Sequence, residues 1–313
     1  MLRIRPFVKG CDEAAFVRIY NAAFSDYDDI RNMTLEEMKL EASPSFDDRG
    51  MFIAEWNGEP VGTVDAYIDK MREEEKGFIQ SLGVIPSLRR MGIGMKLVER
   101  ALESLRQRGM KTVEAWAQTG REGCMRVYRG FGFKEARTSS MMKRTLQNIQ
   151  SNIGENTEIT IRSVRPKDEE DIKLLNRLDN EAFKEHFNFR PRTIEETKYT
   201  LCEMPWFNVQ NWFLALLNEK PVGYVGAAID EGLNKEKSLR WGWILDIGVL
   251  KPYRRKGIGA RLMLHSMQLL KEAQMEDALL YVDDMNPTNA IRLYKRLGFK
   301  VARKNIIYQL ELI

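Results

Sequence analysis

The residues best suited to chemistry form a loop that occurs twice. Arg89-Arg-Met-Gly-Ile-Gly94 and Arg254-Arg-Lys-Gly-Ile-Gly259 share the pattern Arg-x-x-Gly-x-Gly at a constant offset of 165 residues. Each follows a β-rich run ending in Val84 or Val249. Each precedes apolar residues at helical spacing: Ile93, Leu97, Val98, Ala101, Leu102 and Leu105, or Ile258, Leu262, Met263, Met267 and Leu270. Glycines in a strand-to-helix turn let the main-chain N–H groups face outward and let a ligand approach without a Cβ in the way. With the positive end of the following helix they make an anion site suited to a pyrophosphate. Arg89, Arg90, Arg254 and Arg255 add formal charge beside it. A glycine pair before a helix can equally be a plain turn; its recurrence in one strand–loop–helix context favours the anion site.

The elements that must position these loops repeat as well. Asn57–Gly62 corresponds to Asn218–Gly223, Val127–Phe133 to Leu293–Phe299, and Ile4-Arg5 to Ile161-Arg162, in the same order. The polar seam around Gln147–Thr157 has the composition of a linker. The expected domains are therefore 1–147 and 158–313, joined by 148–157. Each half shows an extended start, two helical stretches (Glu13–Phe24 and Leu35–Ala42; Glu169–Phe183 and Thr193–Leu201) and three β-rich runs. The loop and its helix come next, then a strand, a helix carrying Tyr128 or Tyr294, and a closing pair of strands. The order βααβββαβαββ, twice over, predicts a mixed α/β fold with one central sheet per half.

Composition sets the outer limits. The 313 residues are 43% hydrophobic and 30% charged, as in ordinary globular chains. A net charge of +4, spread along the chain, does not suggest a nucleic-acid binder. The apolar runs are too short to span a bilayer, and the charged N-terminus is unlike a secretory leader. Three cysteines without paired spacing, and His186 and His265 as the only histidines, predict no metal site and a cytoplasmic, reducing setting.

Both halves resemble the GNAT superfamily of acyl-CoA-dependent N-acyltransferases. The resemblance rests on the Arg-x-x-Gly-x-Gly loops and on the late Tyr128–Phe133 and Tyr294–Phe299 segments. It implies acetyl-CoA as cosubstrate, lying where the strands Gly77–Val84 and Thr112–Ala117, or Leu239–Val249 and Ala278–Val282, splay apart. Amides of Met91, Gly92, Ile93 and Gly94, and of Lys256, Gly257, Ile258 and Gly259, would hold the pyrophosphate. Main-chain groups around Leu82 and Val84, or Ile247 and Val249, would pair with the pantetheine arm. A primary amine, on a small molecule or a protein, would attack the thioester directly. Tyr294, and in half one Tyr128, would protonate the departing thiolate, unless each is simply an amphipathic core residue.

The halves differ at the entry to the last helix. Asn286-Pro-Thr-Asn289 fits the family's asparagine-containing entry, with Asn286 expected as the helix cap and Pro287 in the first turn. Gly120-Arg-Glu-Gly123 does not fit, so the C-terminal half is the expected catalyst. The family's strand glutamate is replaced by Phe78 and Trp243. Asp246 is the nearest carboxylate and either takes the amine's proton or braces the strand. The missing glutamate leaves a second reading open, a CoA-binding sensor or scaffold without turnover. Cys124 reads as a small buried residue, His186 and His265 as helix-surface residues, and Asp26–Asp29 as a solvated loop or an attractor for a cationic amine. Trp206, Trp212, Trp241 and Trp243 read as core or as an aromatic acceptor wall.

Overall fold

The computed structural model describes residues 1–39, 48–149, 158–202, 204, 207 and 209–312. Half one runs β1 (Leu2–Pro6), α1 (Glu13–Phe24), α2 (Leu35–Lys39), β2 (Met51–Trp56), β3 (Glu59–Ile68), β4 (Lys76–Val84), α3 (Ile93–Gln107), β5 (Thr112–Gln118), α4 (Glu122–Gly130) and β6 (Lys134–Thr145). Half two runs β7 (Ile159–Ser163), α5 (Glu169–Phe183), α6 (Ile194–Cys202), β8 (Val209–Leu217), β9 (Lys220–Ile229), α7 (Glu231–Lys237), β10 (Trp241–Val249), α8 (Ile258–Glu272), β11 (Asp277–Asp283), α9 (Ala290–Arg296) and β12 (Lys300–Glu311). The mixed α/β class and the tandem repeat stand as expected.

Two element readings need correction. One long strand, β6 or β12, replaces the expected closing pair, because neither stretch contains a Gly or Pro at which to reverse. Helix α7 was not anticipated. Asp230 caps it by accepting from the Leu233 amide at 2.8 Å, and Ser238 ends it in a left-handed conformation. Its Leu233 covers Trp241, Trp243, Leu279 and Met141, which makes those two tryptophans core. Trp212 is also core, stacked on Tyr224; Trp206 lies outside the described residues.

The compact units are not the two halves of the sequence. The first holds Met1–Thr138 with Lys304–Ile313, the second Ser139–Arg303. In the first, β5 is flanked by β4 in parallel and by β12 antiparallel, with Asn305–Glu311 opposite Gln118–Thr112. In the second, β11 is flanked by β10 in parallel and by β6 antiparallel. Each half thus donates its last strand to the other's sheet. Period-two alternation sends Ile306 and Tyr308 into the first core and Met142 and Leu146 into the second.

Tyr308 is 0% exposed, with its ring 5.7 Å from that of Tyr128. Tyr308→Ala should therefore cost about 3–5 kcal/mol. Hydrogen exchange should show the loss in the first unit, more than 150 positions away in sequence, and not in the second. Protection lost only near residue 308 would contradict the exchange of strands.

Candidate active site

The anion loop is built from an unusual run of backbone. Arg90 and Gly92 sit at φ +69° and +80°, and Arg255 and Gly257 at +68° and +84°. A non-glycine residue there is uncommon, and the same strain occurs at the same place in both units. Positive φ at alternate residues turns successive N–H groups to one side, the geometry of an anion nest. Each nest opens on a 15-residue helix, α3 or α8, with no acidic residue in its first turn and no side-chain cap. Among the described residues, no acceptor faces the amides of Met91–Gly94 or Lys256–Gly259. A Cβ built at Gly92 or Gly257 would meet nothing within 4 Å, so the space in front of the nest is open. These features fit a diphosphate.

The two leading arginines are used differently from the expectation. Arg89 donates to the carbonyls of Val84 and Ala23, and Arg254 to those of Val249 and Ala182 at 3.0 Å each. They tie the loop to the end of the preceding strand and to the last turn of α1 or α5. Nε and one terminal nitrogen of each guanidinium are used on the main chain, and Arg254 Nη1 also lies 3.5 Å from Glu185, so both arginines brace the nest while keeping their charge beside it.

The strands beside the nest do splay. β4 and β5 are paired only from Lys76–Ile79 to Thr112–Ala115, and β10 and β11 only from Trp241–Trp243 to Asp277–Leu279. A β-bulge accompanies each opening. Between Thr63 and Asp65 on β3 the partner positions on β4 jump from Gly83 to Gln80, and Ser81 takes φ +49°. Between Val225 and Ala227 on β9 the partners on β10 jump from Ile247 to Ile244, which places the extra residue at Leu245–Asp246. A bulge bends its strand and re-aims the side chains beside it. Sequence reasoning missed both bulges, although Gly83 and Gly248, strand glycines two residues past Ser81 and Asp246, were the available signal.

A cavity of about 430 Å³ lies beside the end of β4 in the first unit, and one of about 1060 Å³ is lined by both β10 and β11 in the second. Leu82, Val84, Arg89, Arg90, Gly92, Ile93 and Gly94 line the first; Ile247, Val249, Arg254, Arg255, Gly257, Ile258 and Gly259 line the second. Met91 and Lys256 lie outside the linings, and Met91 is 47% exposed. The first cavity is narrowed by Arg121, which stacks 3.9 Å above the Tyr27 ring and pairs with Asp26 at 2.5 Å. That pairing occupies Asp26, the first residue of the tract considered as an attractor for amines.

The proton-handling candidates segregate to the second unit. Tyr294, 6% exposed, and Asp246 both line its cavity. Burial raises Asp246 above the usual carboxylate range, Arg192 opposing and Asp179 adding to the effect. Burial, helped by the Asp246 charge, holds the Tyr294 phenol well above 10. Tyr128 is not in the lining of the first cavity: it is 2% exposed, packed on Phe133 and Tyr308, with Cys124 beside it. In that unit Ser81 stands where Asp246 does in the second.

Asn286 and Asn289 line the second cavity, with a correction to the expected cap. Asn286 accepts from the Thr288 amide at 2.8 Å and its hydroxyl at 2.6 Å, so α9 begins only at Ala290, after a left-handed Asn289. His186 is likewise corrected. It follows α5, lines the cavity and packs on Phe183 with its pKa lowered by burial, rather than sitting on a helix surface. His265 is half-buried against Phe213. No group of His, Cys, Asp or Glu side chains among the described residues could hold a metal. No helix among them is long and apolar enough to cross a membrane.

Cys124 lines the first cavity, and burial pushes its thiol up to about 11. At pH 7.5 it should be alkylated at least about tenfold more slowly than the exposed Cys11 and Cys202. Peptide mapping after iodoacetamide treatment reads this directly, and equal rates would contradict the burial.

Comparison with known proteins agrees with this geometry. The chain is 25% identical over 283 residues to a mycothiol acetyltransferase of Actinosynnema mirum, covering 88% of each chain. It is 33% identical over 131 residues to a mycothiol acetyltransferase of Thermomonospora curvata, covering 42% of this chain and 43% of the relative. Among solved structures, a tandem GNAT protein from the clavulanic acid biosynthesis pathway superposes with a TM-score of 0.78 at 15% identity, over 99% of this chain and 98% of that one. A GCN5-related N-acetyltransferase from Sphaerobacter thermophilus superposes at 0.70 with 22% identity, over 99% and 95%. The sequence profile of the acetyltransferase (GNAT) family matches twice, over residues 14–133 and 175–299. With one match on each repeat, the chain belongs to the acetyltransferase (GNAT) family, as a tandem acetyltransferase.

Proposed function

We propose that the chain moves an acetyl group from acetyl-CoA to the primary amine of a small metabolite, and that the chemistry belongs to the second unit. One observation carries this reading: Asp246 and Tyr294 line the same cavity as a diphosphate-shaped nest, whereas the first unit offers Ser81 and a Tyr128 sealed in its core. The similarity to mycothiol acetyltransferases supports a small acceptor over a protein. Acetyl-CoA, when bound, supplies the acetyl thioester.

The amides of Lys256–Gly259 hold the diphosphate, with Arg254 bracing the loop, and Ile247 and Val249 offer main-chain groups to the pantetheine arm. Asp246, made more basic by burial, accepts a proton from the acceptor's ammonium. Tyr294 keeps its proton through the neutral range and donates it to the departing sulfur as the N–C bond forms and the C–S bond breaks. The second N–H proton lost as the amide forms returns to Tyr294, so one proton remains on Asp246. The first unit retains its nest and binds the CoA nucleotide without turnover.

Acetylation of a panel of small amines and peptides, read by mass spectrometry, tests this. Product is expected from at least one small amine and from no peptide. Saturable CoA uptake with no product in the whole panel would favour the sensor or scaffold reading, and peptide acetylation alone would overturn the choice of acceptor.

A further inference from the structure

Four polar side chains meet beside the second cavity. The Tyr224 hydroxyl donates to one oxygen of Asp179. Arg192 Nη1 lies 3.5 Å from the other Asp179 oxygen, and its Nη2 lies 3.9 Å from Asp246 Oδ2. The four come from β9, α5, the segment before α6 and the bulge of β10. Nothing in sequence spacing announces the cluster.

The first unit has the same scaffold without the charges. Asn21 accepts from the Met33 amide at 2.8 Å as Asn180 accepts from the Arg192 amide at 2.7 Å, which fixes the correspondence of Met33 with Arg192 and Tyr20 with Asp179. Thr63 lies opposite Gly83 as Tyr224 lies opposite Gly248, so Thr63 corresponds to Tyr224. Ser81 corresponds to Asp246. Every member of the cluster is replaced, and no carboxylate or guanidinium remains at those positions. The first unit builds the same scaffold without the cluster.

In the second unit two carboxylates share one guanidinium, which leaves the cluster one positive charge short. Asp246 accepts no hydrogen bond among the described residues, and its side chain is 34% exposed. Its contact with Arg192, at 3.9 Å, is longer than a hydrogen bond and easily yielded. We propose that Arg192 is a positioning residue: lying between Asp179 and Asp246, it keeps Asp246 ionised at the cavity edge, and the acceptor's ammonium is the cation that completes the cluster. The proposal rests on the reading of Asp246 as the base.

The groups facing Asp246 are Asp179 from α5, Arg192 from the segment before α6, Tyr224 from β9 and Tyr294 from α9; His186, Lys251, Arg254, Arg255, Asp283, Arg292 and Arg296 share the cavity. Arg192 lowers the proton affinity of Asp246 and Asp179 raises it. Their removal must therefore act in opposite directions.

The test is the pH profile of kcat/KM for the full chain and its R192Q, R192K, D179N and D246N variants. In R192Q the acidic limb should move to higher pH, with an activity loss of about tenfold on that limb that recovers as pH rises. R192K should restore the original limb, and D179N should move it to lower pH. The acceptor's own titration is common to all variants, so a moving limb belongs to the protein. A pH-independent loss in R192Q that R192K does not rescue would overturn the proposal while leaving the base in place. An unchanged rate and limb in D246N would instead remove the base reading itself, and this proposal with it. Should D179N fail to fold, the R192Q and R192K pair decides the matter, since Arg192 is a third exposed.

Discussion

Gly257→Glu is expected to cut acetyl transfer by at least about 100-fold, while Gly92→Glu leaves it within about a factor of two. Gly257 sits at φ +84°, where a residue with a Cβ pays about 1–2 kcal/mol. The new carboxylate would also stand in the open space before the nest, set against a diphosphate that needs those N–H groups. A loss of about 100-fold corresponds to about 2.7 kcal/mol, which repulsion between the new carboxylate and a multiply charged diphosphate in a site shielded from water has to supply. Gly92 has the same conformation in the first unit, at φ +80°. Distant sites act independently within a few tenths of a kcal/mol, so its substitution should spare the chemistry. Equal losses in the two variants would contradict the assignment of turnover to the second unit.

Tyr294→Phe is expected to lower kcat by about 10²–10⁴-fold with KM for acetyl-CoA almost unchanged. The ring would keep its packing, 6.2 Å from Phe299, so only the proton donor is removed. A phenol well above 10 could look too weak an acid for a thiolate whose usual pKa is ~8.5. Burial corrects the comparison. The chain's own Cys124, buried beside the first cavity, has its thiol pushed up to about 11. A dry site strengthens thiolate and phenolate as bases alike, and so narrows the gap between them. The Tyr128→Phe variant should leave kcat unaltered, because its hydroxyl is sealed against Cys124 in the core. Steady-state kinetics on the two variants reads both outcomes. A full rate in Tyr294→Phe would remove the acid role.

Much of this was legible in the chain because it is local. The ends of α1 and α5 follow from apolar periodicity, and Gly92 and Gly257, just before α3 and α8, mark turns made at positive φ. What could not be read depends on partners distant in sequence. The exchange of β6 and β12 leaves no trace in composition, since a strand's alternation is the same whichever sheet it joins. The bulges at Ser81 and Asp246 are set by register against β3 and β9. Arg89 and Arg254 carry the charge expected of an anion site, yet each also ties itself to a carbonyl near the end of α1 or α5, a partner distant in sequence. Two tyrosines in matching motifs have different environments because Asp246 and a wide cavity face one and Cys124 faces the other.

Calorimetric titration of acetyl-CoA into the wild-type chain and into the Gly92→Glu/Gly257→Glu double variant bears most directly on the nests. Saturable heat in the wild type, absent from the double variant, is the predicted result. A wild-type chain that takes up no acetyl-CoA, or a double variant that takes it up undiminished, would contradict the account.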